Sequence, residues 1–182
     1  MLAVHTPLTE LIIEASRFGV TKVHLASATS ALNDAETIIQ IDENTTIKGC
    51  VERQKYLVEN EKASTHLTVA KAWFTAYFQA KEAPFPTLDF SELSGFSKEV
   101  STQLLQCTRF GQTTTYGELA RLVGRPQAVR AVGTVMRRNP WPLLIPCHRV
   151  LLSNGSIGKY SAGRGELTKR WLLKHESRYQ AD

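Results

Sequence analysis

Nowhere in the 182 residues is there an apolar run of eighteen, the length a membrane-spanning helix needs. The opening MLAVHTPLTELIIEAS carries Glu10 and Glu14 where a secretory signal needs an unbroken apolar stretch behind a basic flank. The expectation is a soluble, cytoplasmic protein, nuclear in a eukaryotic cell, with no membrane partner. Cysteine is scarce: Cys50, Cys107 and Cys147 are odd in number and lack CxxC spacing, which argues against a disulfide framework and a zinc ribbon or finger. Of the five histidines, His5, His24 and His66 read as surface or core residues rather than ligands, so neither metal nor cofactor is expected.

What is present can bury a core, since 42% of residues are hydrophobic, enough for one ordinary domain or two small ones. Charge divides the chain. Residues 1–92 hold 8 Lys and Arg against 12 Asp and Glu (net −4), and residues 93–182 hold 14 against 5 (net +9). Two readings stand for the basic half: a surface that meets a polyanion, gaining by counterion release, or a solvated basic face.

In the first half, TELIIEASRFGVTKVHLAS gives two β-rich runs around Phe18-Gly19 and predicts a hairpin. STHLTVAKAWFTAYFQAKEA spaces Leu67, Ala70, Trp73, Phe74, Tyr77 and Phe78 as a core-facing helix. Ser64 or Thr65 is its candidate N-cap, and the following PFP its stop. The Pro-, Ser- and Gly-bearing stretch 81–96 reads as a connection, which puts a domain boundary near residue 92.

Beyond it, FSKEVSTQLLQCTRF is a second amphipathic helix with Cys107 on or near its buried face, as a small hydrophobe. Thr115 and Glu118 then form a Thr-x-x-Glu capping box, and Gly124 can close the short helix they open. Pro126 suits the first turn of another helix, ending near Arg138 before Asn139-Pro140. Helix, four-residue turn, helix is helix-turn-helix geometry. On the second helix Arg130, Arg137 and Arg138 are interleaved with Ala128, Ala131, Gly133 and Thr134, which reads as nucleic-acid contact or as ordinary helix packing.

The stretch PLLIPCHRVLLSNG sets Cys147 beside His148 and Arg149. Only a thiolate is a good nucleophile, so a reactive cysteine needs a proton acceptor or cationic surroundings. In an extended segment His148 points away from the sulfur, so a bridging water or a bend at Pro146 would have to connect them. On residues alone, nucleophile and buried structural thiol both stand.

Four ordered motifs, RAVGTVMRRNP at 130–140, IPCHRV at 145–150, GKYSAG at 158–163 and KRWLLKHE at 169–176, resemble the O6-alkylguanine-DNA alkyltransferases, single-use DNA repair proteins. The resemblance covers nearly all of residues 96–176. It implies a ribonuclease-H-like α/β domain over 1–92 and a mostly α domain with a helix-turn-helix over 93–182, which binds DNA and accepts the alkyl group. Cys147 would take that group from O6-alkylguanine, and from O4-alkylthymine. His148 would receive the thiol proton through a water and Glu176 would hold the imidazole, while Tyr160 would donate to the guanine N3.

The resemblance further implies that the base leaves the stack, with Arg130 filling the gap and Tyr116 rotating the 3′ phosphate. The small Ala131 and Gly133 would fit the minor groove of double-stranded DNA. Pro142, Val150, Gly158 and Ser161 would shape the pocket, Asn139 would brace the turn leading to it, and Arg149 would form a structural ion pair. The protein is expected to be a monomer without DNA. Val129 and Val135 depart from the smaller residues usual in the family, and the first half lacks the zinc-site cysteines of some members. A non-catalytic lesion sensor or transcriptional regulator built on the same helix-turn-helix is the alternative, although sensors of this family replace the reactive cysteine, often by tryptophan. A Cys-His hydrolase lacks a second histidine motif and an oxyanion-type glycine turn.

Overall fold

The computed structural model describes residues 1–25 and 61–178; Cys50 lies outside them. Two compact units emerge, Met1–Asp89 and Phe90–Asp182. Among the described residues no helix is long and apolar enough to cross a membrane, and no cluster of three His, Cys, Asp or Glu could hold a metal.

The first unit is an antiparallel meander of β1 (Leu2–His5), β2 (Glu10–Ser16) and β3 (Gly19–Leu25), with α1 (Glu61–Phe78) packed on β2 and β3. Leu11 and Ile13 alternate inward on β2 and meet Leu67, Ala70, Phe74, Tyr77 and Phe78 of α1 in a buried core. The expected hairpin forms, pairing Ser16 with Gly19. Gly19 is needed there for space: a Cβ would stand 2.7 Å from the Thr87 carbonyl oxygen.

Helix α1 departs from expectation at both ends. It already runs at Glu61, so Ser64 and Thr65 lie inside it rather than capping it. It stops well before the prolines, because Ala80 turns left-handed (φ 51°). Lys81 N–H then donates to Ala76 O (2.9 Å) and Ala80 N–H to Tyr77 O (3.1 Å), the paired closing bonds of a Schellman motif.

The second unit holds α2 (Gly95–Cys107), β4 (Thr114–Thr115), α3 (Tyr116–Leu122), α4 (Val129–Arg137), β5 (Val150–Leu151) and α5 (Glu166–Ser177). Ser94 caps α2. Thr115 Oγ1 caps α3 by accepting from Glu118 N–H (3.1 Å), but the Glu118 carboxylate accepts from the Thr114 hydroxyl, so the capping box is half made. Gly124 (φ 71°) closes α3, with Arg125 N–H on Ala120 O.

Helix α4 starts three residues later than the proline suggested. Ala128 N–H donates to Arg125 O (2.9 Å), so Pro126 occupies the second position of a β-turn, where its fixed φ fits equally well. The connection is therefore six residues, 123–128. Helices α2, α3 and α4 pack on one another through Val100, Leu104, Leu119, Ala120, Val132 and Met136, all buried. The parallel β4–β5 pairing, Thr114 with Val150 and Thr115 with Leu151, carries the start of α3 to the chain just beyond Cys147.

Candidate active site

Every residue from Trp141 to Val150 is buried. The segment is not extended at Cys147: residues 147–149 make one 3₁₀ turn after Pro146 (φ −80°, ψ 60°), with Arg149 N–H donating to Pro146 O (2.9 Å). Three residues per turn spread the side chains about 120° apart. Cys147, His148 and Arg149 therefore leave the backbone in three directions, and the strand-like opposition expected of neighbours does not apply.

His148 and Arg149 both reach Glu176 on α5. His148 Nε2 lies 2.7 Å from Glu176 Oε1; Arg149 donates from Nε to Oε2 (2.9 Å) and from Nη2 to Oε1 (3.0 Å). Gly111 N–H adds a bond to Oε2 (3.1 Å), and Arg149 Nη1 reaches Thr108 O (3.1 Å). Burial alone would raise the Glu176 carboxyl, but the hydrogen bonds and charges of His148 and Arg149 outweigh it and hold it far below the ordinary carboxylate range. Ionised, Glu176 can only accept, so Nε2 carries the imidazole proton. His148 Nδ1, which has no hydrogen-bond partner among the described residues, is then the basic nitrogen. Burial lowers the His148 pKa and keeps that nitrogen free to accept.

Burial pushes the Cys147 thiol up; the Asn139 amide, Tyr160 and the Lys169 cation pull it back without cancelling the rise. The resting group is a thiol that must give up its proton to react. Asn139, in the chain leaving α4, donates from Nδ2 to Ile145 O (2.8 Å) and to the sulfur (3.1 Å), and accepts from Trp141 N–H (2.9 Å). These bonds tie the chain leaving α4 to the segment that carries Cys147, one of them directly at Sγ.

The sulfur borders a cavity of about 530 Å³ lined by Tyr116, Gly133, Met136, Arg137, Leu152, Gly158, Lys159, Tyr160 and Ser161. Pocket sites for small molecules span roughly 300–1,000 Å³. Tyr160 has a buried hydroxyl without a hydrogen-bond partner among the described residues; burial and the neighbouring Cys147 push its phenol well above the ordinary range. Burial also raises the Tyr116 phenol, with Cys147 adding to the effect. Ser161 Oγ donates to the Arg137 carbonyl (3.1 Å) at the end of α4.

Of the residues singled out from the sequence, Cys147, Tyr116, Gly133, Gly158, Tyr160 and Ser161 meet at the cavity. Pro142 and Val150 do not line it; they are buried in the segment behind Cys147. Arg130 and Ala131 are exposed on α4, whose buried side is Val132 and Met136. His24 pairs with Glu14 in the first unit (3.6 Å). Sequence reasoning missed Lys169, fully buried, whose Nζ donates to Val150 O (2.7 Å). Its signal was a lysine on the Leu172–Glu176 face of α5. It also missed Met136, Leu152 and Lys159 as cavity wall; Leu152 and Lys159 come from loops and carry no periodicity.

Residues 95–178 match the DNA-binding domain of 6-O-methylguanine DNA methyltransferase. The chain is 47% identical over 116 residues to the methylated-DNA–protein-cysteine methyltransferase of Cricetulus griseus, covering 60% of this chain and 55% of that one. It spans about half the length of the mammalian relatives it matches. Against the constitutive Bacillus subtilis methyltransferase the identity is 30% over 171 residues, 94% of this chain and 91% of the other. The Mycobacterium tuberculosis OGT, crystallised in complex with DNA, superposes with a TM-score of 0.69 at 26% identity, covering 97% of this chain and 91% of that one. With motif order, mixed α/β architecture and a match along almost the whole chain in agreement, the protein belongs to the methylated-DNA–protein-cysteine methyltransferase family.

Proposed function

We propose that the chain repairs alkylated DNA by moving the alkyl group from O6-alkylguanine, and from O4-alkylthymine, irreversibly onto Cys147. The observation that carries this reading is a buried thiol on the wall of a cavity, next in sequence to a histidine held in one tautomer by a buried carboxylate. Its protein relatives bear the name of that activity. The cytoplasm, or the nucleus of a eukaryotic cell, is its compartment.

The thiol proton passes through a water to His148 Nδ1, and Glu176 stabilises the imidazolium. The thiolate attacks the alkyl carbon, so a carbon–sulfur bond forms as the carbon–O6 bond breaks. The departing pair spreads into the guanine ring, where Tyr160 donates its unpartnered hydroxyl to N3 and the Ser161 region meets O6. Leaving-group stabilisation replaces any need for a metal or cofactor. The thioether is stable, so each molecule acts once.

An alkyl group inside stacked DNA is out of reach, so the nucleotide swings into the cavity. Arg130 fills its place and Tyr116 turns the phosphate. Helices α3 and α4 serve as a helix-turn-helix, with Ala131 and Gly133 toward the minor groove. Residues 93–182 do this work, and residues 1–92, of ribonuclease-H-like character, support it; without DNA the protein is a monomer. Titrating duplex that contains O6-methylguanine should end at one lesion repaired per protein molecule. Cys147→Ala should repair none while still binding DNA. Repair beyond one equivalent would refute the single-use reading.

A further inference from the structure

Leu152 combines two features at the edge of the cavity. Its backbone is fixed: it follows β5, its N–H donates to Ser156 O (3.0 Å), and its carbonyl accepts from Gly155 N–H (2.9 Å). Asn154 Oδ1 tightens the same loop by accepting from Ser156 N–H (3.1 Å) and Oγ (2.7 Å). The residue is nonetheless 41% exposed although it lines the cavity that Cys147 borders. An apolar side chain that stays wet on a pinned backbone can turn about its own bonds at little packing cost.

The wall opposite it is Gly158. At φ 68°, a Cβ there would lie 3.1 Å from Leu152 Cγ, 3.4 Å from Cδ2 and 3.5 Å from Cδ1. The isobutyl group thus rests on the Gly158 backbone, filling the space a side chain at 158 would take. The remaining lining has no comparable movable apolar group at this edge: Met136 is buried, and Tyr160 ends in a buried hydroxyl.

We propose that Leu152 is a specificity-determining residue, the side chain that sets how large an alkyl group can approach the Cys147 sulfur. The inference rests on Cys147 as alkyl acceptor and names the wall that limits its substrates. Leu152 resting on Gly158 narrows the cavity; shortening it widens the path, and enlarging it closes the path. A few methylenes in an apolar pocket change discrimination by at least about tenfold.

The test compares wild type, Leu152→Ala and Leu152→Phe on two reagent pairs. One is O6-methylguanine against O6-benzylguanine, supplied as free bases. The other is iodoacetamide against N-benzyl iodoacetamide, with labelling of Cys147 read by peptide mapping. The bulky-to-small rate ratio should rise about tenfold in Leu152→Ala and fall in Leu152→Phe. If guanine transfer proceeds and its ratio stays within about twofold in both variants, the gate is overturned and the acceptor reading stands. If neither guanine reacts but the iodoacetamide ratio shifts as described, the gate stands and the alkylguanine reading falls. Unmoved iodoacetamide ratios without guanine transfer overturn both.

Discussion

Along the chain from Cys147 to Val150 every side chain is buried, and His148 and Arg149 converge on one carboxylate. The cavity that the same sulfur borders is walled by the start of α3, the end of α4 and two loops, and Arg137, Leu152, Lys159 and Ser161 are exposed. One side is a closed polar network in which each charge has a partner. The other is assembled from helix ends and loops, several of whose side chains stay exposed. Buried networks cost heavily to break, whereas exposed walls can change without unfolding the protein. The proposed transfer chemistry thus rests on the part that is costly to change, and the proposed substrate choice on the part that is not.

The largest effect should come from Glu176→Ala, which leaves the Arg149 cation and His148 buried without their acceptor. A loss of about 3–5 kcal/mol is expected on denaturant unfolding, together with collapse of the transfer rate. A loss no larger than a surface substitution gives would break the contrast.

The same network makes stability depend on pH in one direction. Glu176 has a lowered pKa in the folded protein, so its contribution is complete above the unfolded carboxylate value of about 4.3 and drains as pH falls toward the folded one. His148 is also lowered; below about 6.5 the unfolded chain takes up a proton that the folded site resists. Melting temperature should fall in acid from about pH 6.5 and more steeply below about 4.3. Glu176→Gln should remove the steeper part, and an unchanged acid slope in that variant would contradict the assignment.

Lys169→Met comes next. It keeps the shape of the stem but leaves the Val150 carbonyl without its donor, for an expected loss of about 1–3 kcal/mol. On the cavity side the effects turn functional. Arg130→Ala, at an exposed position of α4, should stay within roughly 0.5 kcal/mol of wild-type stability. It should slow transfer from duplex far more than from free O6-methylguanine base, because only the duplex needs the base extruded; equal slowing on both would count against its filling the gap. Ser161→Ala breaks one exposed bond to the Arg137 carbonyl and should cost least, under about 1 kcal/mol, measured by thermal unfolding.

The buried side was the more legible in sequence. Cys147, His148 and Arg149 are adjacent in the sequence, whereas Glu176 came into view only through the resemblance carried by KRWLLKHE at 169–176. Lys169 escaped because a lysine is normally read as surface, and only its position on the buried stripe of α5 gives it away. The cavity side was less legible. Leu152 and Gly158 meet through a turn set by Asn154 and a left-handed glycine, contacts with no periodic trace. Pro126 shows the same limit: proline suits a helix start and a β-turn alike, and the Ala128–Arg125 bond decided for the turn. In the first unit, Ala80 ends α1 in a left-handed conformation that side-chain identity argues against.

The most direct measurement is peptide mapping by mass spectrometry after one equivalent of O6-methylguanine duplex has reacted. A single added methyl is expected, carried by the peptide containing Cys147 and absent from those containing Cys50 and Cys107. An unmodified Cys147, or a methyl on another residue, would contradict it.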